Sequence, residues 1–165
     1  MTRDDSVNVQ DIPSIKRILV PIDRTPLSIK ASTYAIHLAQ VEKAEELIMM
    51  HVVEDVKQGG AIGLRAKYGD VKMVKGFQRS KERSAQEFIQ PIEEQAKKAG
   101  LNIKTEIIPA QGQSVVRAIV DYTKRNNIDL IVMGGGDVSK IHLVVNRSIT
   151  NGVIKKVNCP VVVMR

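Results

Sequence analysis

Four apolar residues, Leu130, Ile131, Val132 and Met133, run directly into Gly134, Gly135 and Gly136. Glycines that leave a strand let backbone N–H groups approach an anion, and the positive end of a following helix adds to the attraction. An amphipathic segment over 148–157 supplies that helix, and Val161, Val162, Val163 and Met164 supply the next strand. The order strand, glycine loop, helix, strand proposes a nucleotide or phosphate site. A second polar residue stands in an equivalent place, because Asp23 closes the apolar run 18–22. Other chemistries find less support. His37 and His51 have no carboxylate or cysteine cluster beside them, so structural histidines are expected and metal ligands are not. Cys159 has no partner for an internal disulfide or a zinc site and reads as a small buried hydrophobe ahead of Pro160. No Gly-x-Ser-x-Gly elbow, complete Walker pattern or nucleophile–base pairing is present, so a binding protein is expected rather than an enzyme, slow hydrolysis of a bound nucleotide apart.

The elements that must hold these residues follow from periodicity. The runs 18–22, 47–53, 128–133 and 161–164 are apolar without alternation, as a parallel sheet covered on both faces requires. A third strand, marked by Leu101, Ile103, Ile107 and Ile108, alternates in part and suggests a sheet edge. Thr25 and Pro26 read as N-cap and first turn of a helix whose inner face carries Ala31, Ala35, Leu38 and Ala39. A long helix is expected over 80–99, with Phe88, Ile89, Ile92 and Ala96 inward, Gly100 as its C-cap, and Pro91 kinking or dividing it. Gly112 and Ser114 open another, with Val115, Ala118, Ile119 and Tyr122 inward. Residues 54–76 hold five glycines with no sustained period and read as a long functional or mobile loop. Strands alternating with helices give a doubly wound parallel sheet, whose ligands bind outside the carboxyl ends of the strands where their order reverses.

Composition narrows the class. At 165 residues and 43% hydrophobic, the chain is the size of one domain, expected over 15–165 behind a flexible tail at 1–14. No apolar run approaches the ~20 residues of a membrane span, and the polar first ten residues fit neither a signal peptide nor an anchor. A cytoplasmic location is the expectation. The net charge of +7 is concentrated between Lys57 and Arg83, where eight basic residues face Asp70 and Glu82. Such a patch either meets an anionic partner or forms a solvated face. With only Tyr68 and Phe77 to stack on bases, it suits a phosphate backbone more than sequence readout, and a nucleic-acid partner is not the favoured reading.

The order and spacing of several segments resemble the universal stress protein family. The first strand with Asp23, the small residues Ser28, Ala31, Ala35 and Ala39, the strand end His51-Val52-Val53, Gly112, the segment from Asp129 to Gly134, and Cys159-Pro160-Val161 carry the likeness. It implies a flavodoxin-like, Rossmann-like α/β fold of five parallel strands in the order 3-2-1-4-5 with helices on both faces. It also implies a non-catalytic stress-response binding module; part of the family lacks the glycine pattern and does not hold ATP, and this chain leans toward that branch, with no certain cofactor and ATP or AMP as candidate ligands. The residues it points to are Pro21, Ile22, Asp23, Val52, Met133, Gly134, Gly135, Gly136, Asp137, Arg147, Ser148 and Ile149. Asp23 would meet the nucleoside, or else simply cap a helix, and Val52 and Met133 would flank the base, or else be core.

Many members bind ATP through G-x-x-G, nine residues, then G-[S/T]. Counted from Gly134, the second and third glycines are Asp137 and Arg147, with Ser148 in its place. A carboxylate where phosphates would rest repels them by about 1 kcal/mol in water, and several times more in a partly desolvated site. Arg147 could instead grip a phosphate through its side chain, with Lys140 nearby. Two readings stay open, a modified crevice that takes some other anionic small molecule and a genuine ATP or AMP site that uses Arg147 and Ser148. A third is a basic subunit for an acidic or nucleic-acid partner, with the 57–83 stretch otherwise serving as a lid. The last strand lies at a sheet edge in the family, so Val161, Val162, Val163 and Met164 are expected to pair with a second copy in a homodimer.

Overall fold

The computed structural model describes residues 14–55, 71–135 and 149–165. Nine elements follow one another: β1 (Arg17–Pro21), α1 (Pro26–Glu42), β2 (Glu46–Val53), α2 (Val71–Lys98), β3 (Ile103–Pro109), α3 (Val115–Arg125), β4 (Leu130–Gly134), α4 (Ile149–Ile154) and β5 (Val161–Met164). The strands form one sheet in the order β3-β2-β1-β4-β5, every pair parallel, which is the flavodoxin-like arrangement.

Period-two alternation divides each central strand between two cores. Ile18 and Val20 of β1, Leu47 and Met49 of β2, and Leu130 and Val132 of β4 pack with Ala31, Ala35 and Ala39 of α1 and Ile89, Ile92 and Ala96 of α2. Leu19, Ile48, Met50, Ile131 and Met133 face the other way, onto Ile119 and Tyr122 of α3 and Val153 of α4. Both faces being covered, none of these strand positions can be polar, and the unbroken apolar runs follow from that. The three alanines let α1 lie close against the middle of the sheet. At the opposite end from the glycines, Asp129 Oδ2 accepts from the backbone N–H of Lys16 (2.9 Å) and Arg17 (2.8 Å), which ties the starts of β1 and β4 together.

Helix α2 departs from the sequence expectation. It begins at Val71, well before residue 80, and runs unbroken through Pro91. Gly76 and the dense charges hide the periodicity of its first half. Pro91 sits on the exposed side, where water can take up the carbonyl left without a partner. Part of the stretch expected as loop is therefore helix. The other boundaries shift by a few residues: β4 starts at Leu130, and the described part of α4 ends at Ile154. Both edges lie where expected, with β3 at one and β5 at the other. The expected tail falls almost wholly outside the described residues.

Candidate functional site

The strand order reverses between β1 and β4, and a cavity of about 1050 Å³ opens there, outside the carboxyl ends of β1, β2 and β4. Each site residue expected from the sequence and lying among the described residues lines it: Pro21, Ile22, Asp23, Val52, Met133, Gly134, Gly135 and Ile149. Gly136, Asp137, Arg147 and Ser148 lie outside the described residues.

The β1–α1 turn is built by short-range polar contacts. Thr25 caps α1 in extended backbone, its hydroxyl accepting from Ser28 N–H at 3.3 Å, and Pro26 follows in the first turn. Asp23 Oδ1 accepts from Thr25 N–H (2.9 Å) and Thr25 Oγ1 (2.5 Å). One carboxylate oxygen thus serves the helix cap, while the side chain stays exposed on the cavity wall. The buried Ser28 hydroxyl donates to the Asp23 carbonyl and accepts from its N–H, both at 2.8 Å. Together these bonds fix the path of the chain as it leaves β1.

The glycines have duties of their own. A Cβ on Gly134 would come within 2.9 Å of the Leu27 carbonyl carbon and of Ser28 N, so this position is bare because α1 begins against it. Gly134's carbonyl accepts from Thr150 Oγ1 (2.9 Å), linking β4 to α4. The N–H of Gly135 donates to the Met164 carbonyl at 2.7 Å and so extends the β4–β5 ladder. These two glycines serve packing and sheet as well as the cavity wall, which the spacing of glycines could not reveal. Met133 is both core and lining, at 4% exposure. Val52 packs at the border of the same core.

The opposite wall was expected only as a lid formed by the 57–83 stretch, not as a helix. At about 1.5 Å per residue a helix of 28 residues spans roughly 42 Å, whereas a seven-residue strand spans roughly 23 Å, so α2 must overhang the sheet. Its first half rises beyond the strand ends and contributes Phe77, Lys81 and Ser84 to the cavity, and Phe88 follows one turn later. His51 meets the Phe88 ring edge to face at 5.3 Å, and its Nδ1–H donates to the Ile22 carbonyl at 2.8 Å. His51 is a satisfied structural histidine, as expected, yet it also lines the cavity.

The basic stretch divides into two parts. Lys72, Lys75, Arg79 and Arg83, spaced by three, four and four residues, form one exposed stripe of α2 that does not line the cavity. Lys81 does, so the described part of the stretch is a wall carrying one inward lysine; the portion before residue 71 lies outside the described residues. No group of three His, Cys, Asp or Glu side chains that could hold a metal occurs among the described residues. Cys159 is half-buried against the α3 side of the core instead of fully buried, and desolvation pushes its thiol up from 9.0. Lys155, Lys156 and Arg165 are exposed. No helix among the described residues is long and apolar enough to cross a membrane.

Comparison with known proteins gives a consistent result. Residues 14–165 match the model of the Universal stress protein family. The universal stress protein MJ0531 of Methanocaldococcus jannaschii is 26% identical over 150 residues, covering 91% of this chain and 82% of that one. The solved structure of the universal stress protein UspA from Lactobacillus plantarum superposes with a TM-score of 0.74 at 26% identity, over 93% of this chain and 99% of the other. That of an Archaeoglobus fulgidus universal stress protein in complex with dAMP does so at 0.55 and 16% identity, over 93% and 100%, a likeness of fold alone.

Proposed function

The chain belongs to the universal stress protein family, and on that premise we propose that it is a non-catalytic cytoplasmic binding module whose crevice takes an adenine nucleotide. The observation that carries this reading is the convergence of Asp23, Val52, Met133 and Gly134 on one cavity at the switch point between β1 and β4. In this reading the base lies between Val52 and Met133, and the free oxygen of Asp23 accepts from the sugar. The dAMP complex of the Archaeoglobus fulgidus protein supports a nucleoside monophosphate as the ligand. The engagement of Gly135 N–H by Met164 supports a loop with fewer backbone donors for a triphosphate.

Isothermal titration tests the proposal. AMP is expected to bind saturably and at least as tightly as ATP, and titrations of both without heat or saturation would overturn it. Asp137→Gly combined with Arg147→Gly is expected to strengthen ATP binding; an unchanged ATP affinity would mean that those residues do not weaken the site.

The same reading includes a homodimer through the outer edge of β5. Val161, Val162, Val163 and Met164 are half-buried, and the strand pairs only with β4 among the described residues, leaving an edge that a second copy can use. Light scattering is expected to give a dimer, with Val162→Asp shifting it toward monomer. A clean monomer of the parent chain at tens of micromolar would end the idea. The exposed stripe Lys72, Lys75, Arg79 and Arg83, which forms no ion pair among the described residues, favours a second reading as a surface for a polyanion. Binding to duplex DNA that weakens steeply with salt would support it, and its absence at low salt would remove it.

A further inference from the structure

We infer that the anionic group of the crevice ligand is held by Arg24 and Lys81, on the α2 wall, with the reading of that ligand as a nucleotide resting on the function proposed above. Among the described residues, these are the lysine and arginine side chains that line the cavity. Helix α2 brings them together. Arg24 Nη2 donates to the Ser84 carbonyl at 2.9 Å and also to the Ser84 hydroxyl. Ser84 is three residues from Lys81, so it lies about one turn along the same side of the helix. Lys81 Nζ in turn donates to the Glu54 carbonyl at 2.9 Å, which holds the ammonium at the end of β2.

The guanidinium is fixed in position before any ligand arrives. Its Cζ stands 5.4 Å from the centroid of the Phe88 ring, which shields one face from water. The Ser84 contacts occupy Nη2 and leave Nε and Nη1 without an acceptor among the described residues. Neither cation is neutralised, because no ion pair of Arg24 or Lys81 occurs among those residues. Asp23, next to Arg24 in the chain, commits one carboxylate oxygen to the α1 cap and pairs with neither cation among the described residues. Two unpaired cations lining one cavity repel each other, and an anion between them relieves that repulsion. A phosphate has the charge and the acceptor oxygens to do so.

The test compares adenosine, AMP, ATP and inorganic pyrophosphate in titrations of the full chain, alongside Arg24→Gln, Arg24→Lys and Lys81→Met. Circular dichroism and thermal unfolding confirm that each variant folds, and the Arg24 Nε–H resonance of the parent chain follows contact directly. The inference expects AMP to bind about tenfold or more tighter than adenosine. That advantage should fall to about one in Arg24→Gln and be recovered only in part by Arg24→Lys, with adenosine affinity unmoved. Nucleotide binding whose phosphate advantage survives in both Arg24→Gln and Lys81→Met would overturn the subsite and leave the nucleotide reading standing. Pyrophosphate binding that shifts the Arg24 resonance, with no binding of adenosine or AMP, would uphold the subsite and overturn the nucleotide reading. No binding by any of the four would overturn both.

Discussion

The two walls of the crevice are made of different material. On the β4 side the chain presents backbone: Gly134 pressed against the start of α1 and Gly135 hydrogen-bonded into the sheet ladder. On the α2 side it presents side chains, with Arg24 latched to Ser84 over Phe88 and Lys81 reaching across to the end of β2. The backbone wall is tied to the fold, since moving it moves α1, β4 and β5 together. The side-chain wall can change charge or shape without disturbing the sheet. On the proposed function, ligand preference can therefore be rewritten on α2 and the adjoining turn while the glycines stay where packing demands them.

If that contrast holds, changes on the backbone wall unfold the protein before they alter its ligand. The largest effect is expected from Gly134→Ala, whose Cβ would meet the backbone of Leu27 and Ser28 at 2.9 Å. The start of α1 must then move, at about 3 kcal/mol, lowering the unfolding midpoint by roughly 10 °C in calorimetry. An unchanged midpoint would mean that this wall is not rigid. Ser28→Ala comes next. It removes the hydroxyl that bridges Asp23 N–H and C=O in a buried position, and urea denaturation should register about 1–2 kcal/mol.

On the side-chain wall, Phe88→Leu is expected to cost about 1 kcal/mol, since the residue is only partly buried and leucine keeps most of its packing. Its larger consequence should be a weaker hold on ligand, as Arg24 loses the ring beneath it. A variant that loses stability but keeps its affinity would contradict the division. The smallest effect belongs to Glu93→Gln, far along α2 from the crevice. Glu93 bonds Lys97 at 2.6 Å and Thr105 of β3 at 3.0 Å. Its carboxyl lies below its ordinary 4.5 because of the Lys97 hydrogen bond first, with Thr105 and the Lys97 charge adding and burial opposing. A carboxylate depressed by folding contributes stability above 4.5 and loses it as pH falls through the lower folded value. The difference between parent and variant should be a few tenths of a kcal/mol at neutral pH and vanish in acid, as chemical denaturation at a series of pH values would reveal.

Much of this could be read from the residues in order. Apolar runs such as 47–53 can only be strands with both faces covered, and the small residues of α1 mark a helix lying close on a sheet, because burial on two sides leaves no room for polarity or bulk. The cap formed by Thr25 and Pro26 was equally local. The helical start of α2 was not legible, since Gly76 and a run of charges mask its period and its stability comes from packing instead of propensity.

What the sequence settled alone was the list of elements, their parallel winding and the end of the sheet at which the crevice opens, since these depend on period, chirality and chain order. What only the tertiary structure decided was which side chains share the cavity. Arg24 and Ser84 are 60 residues apart, and nothing local joins them. They meet because a helix longer than the strands beneath it has to project past their ends, and the turn after β1 comes up under the part that projects.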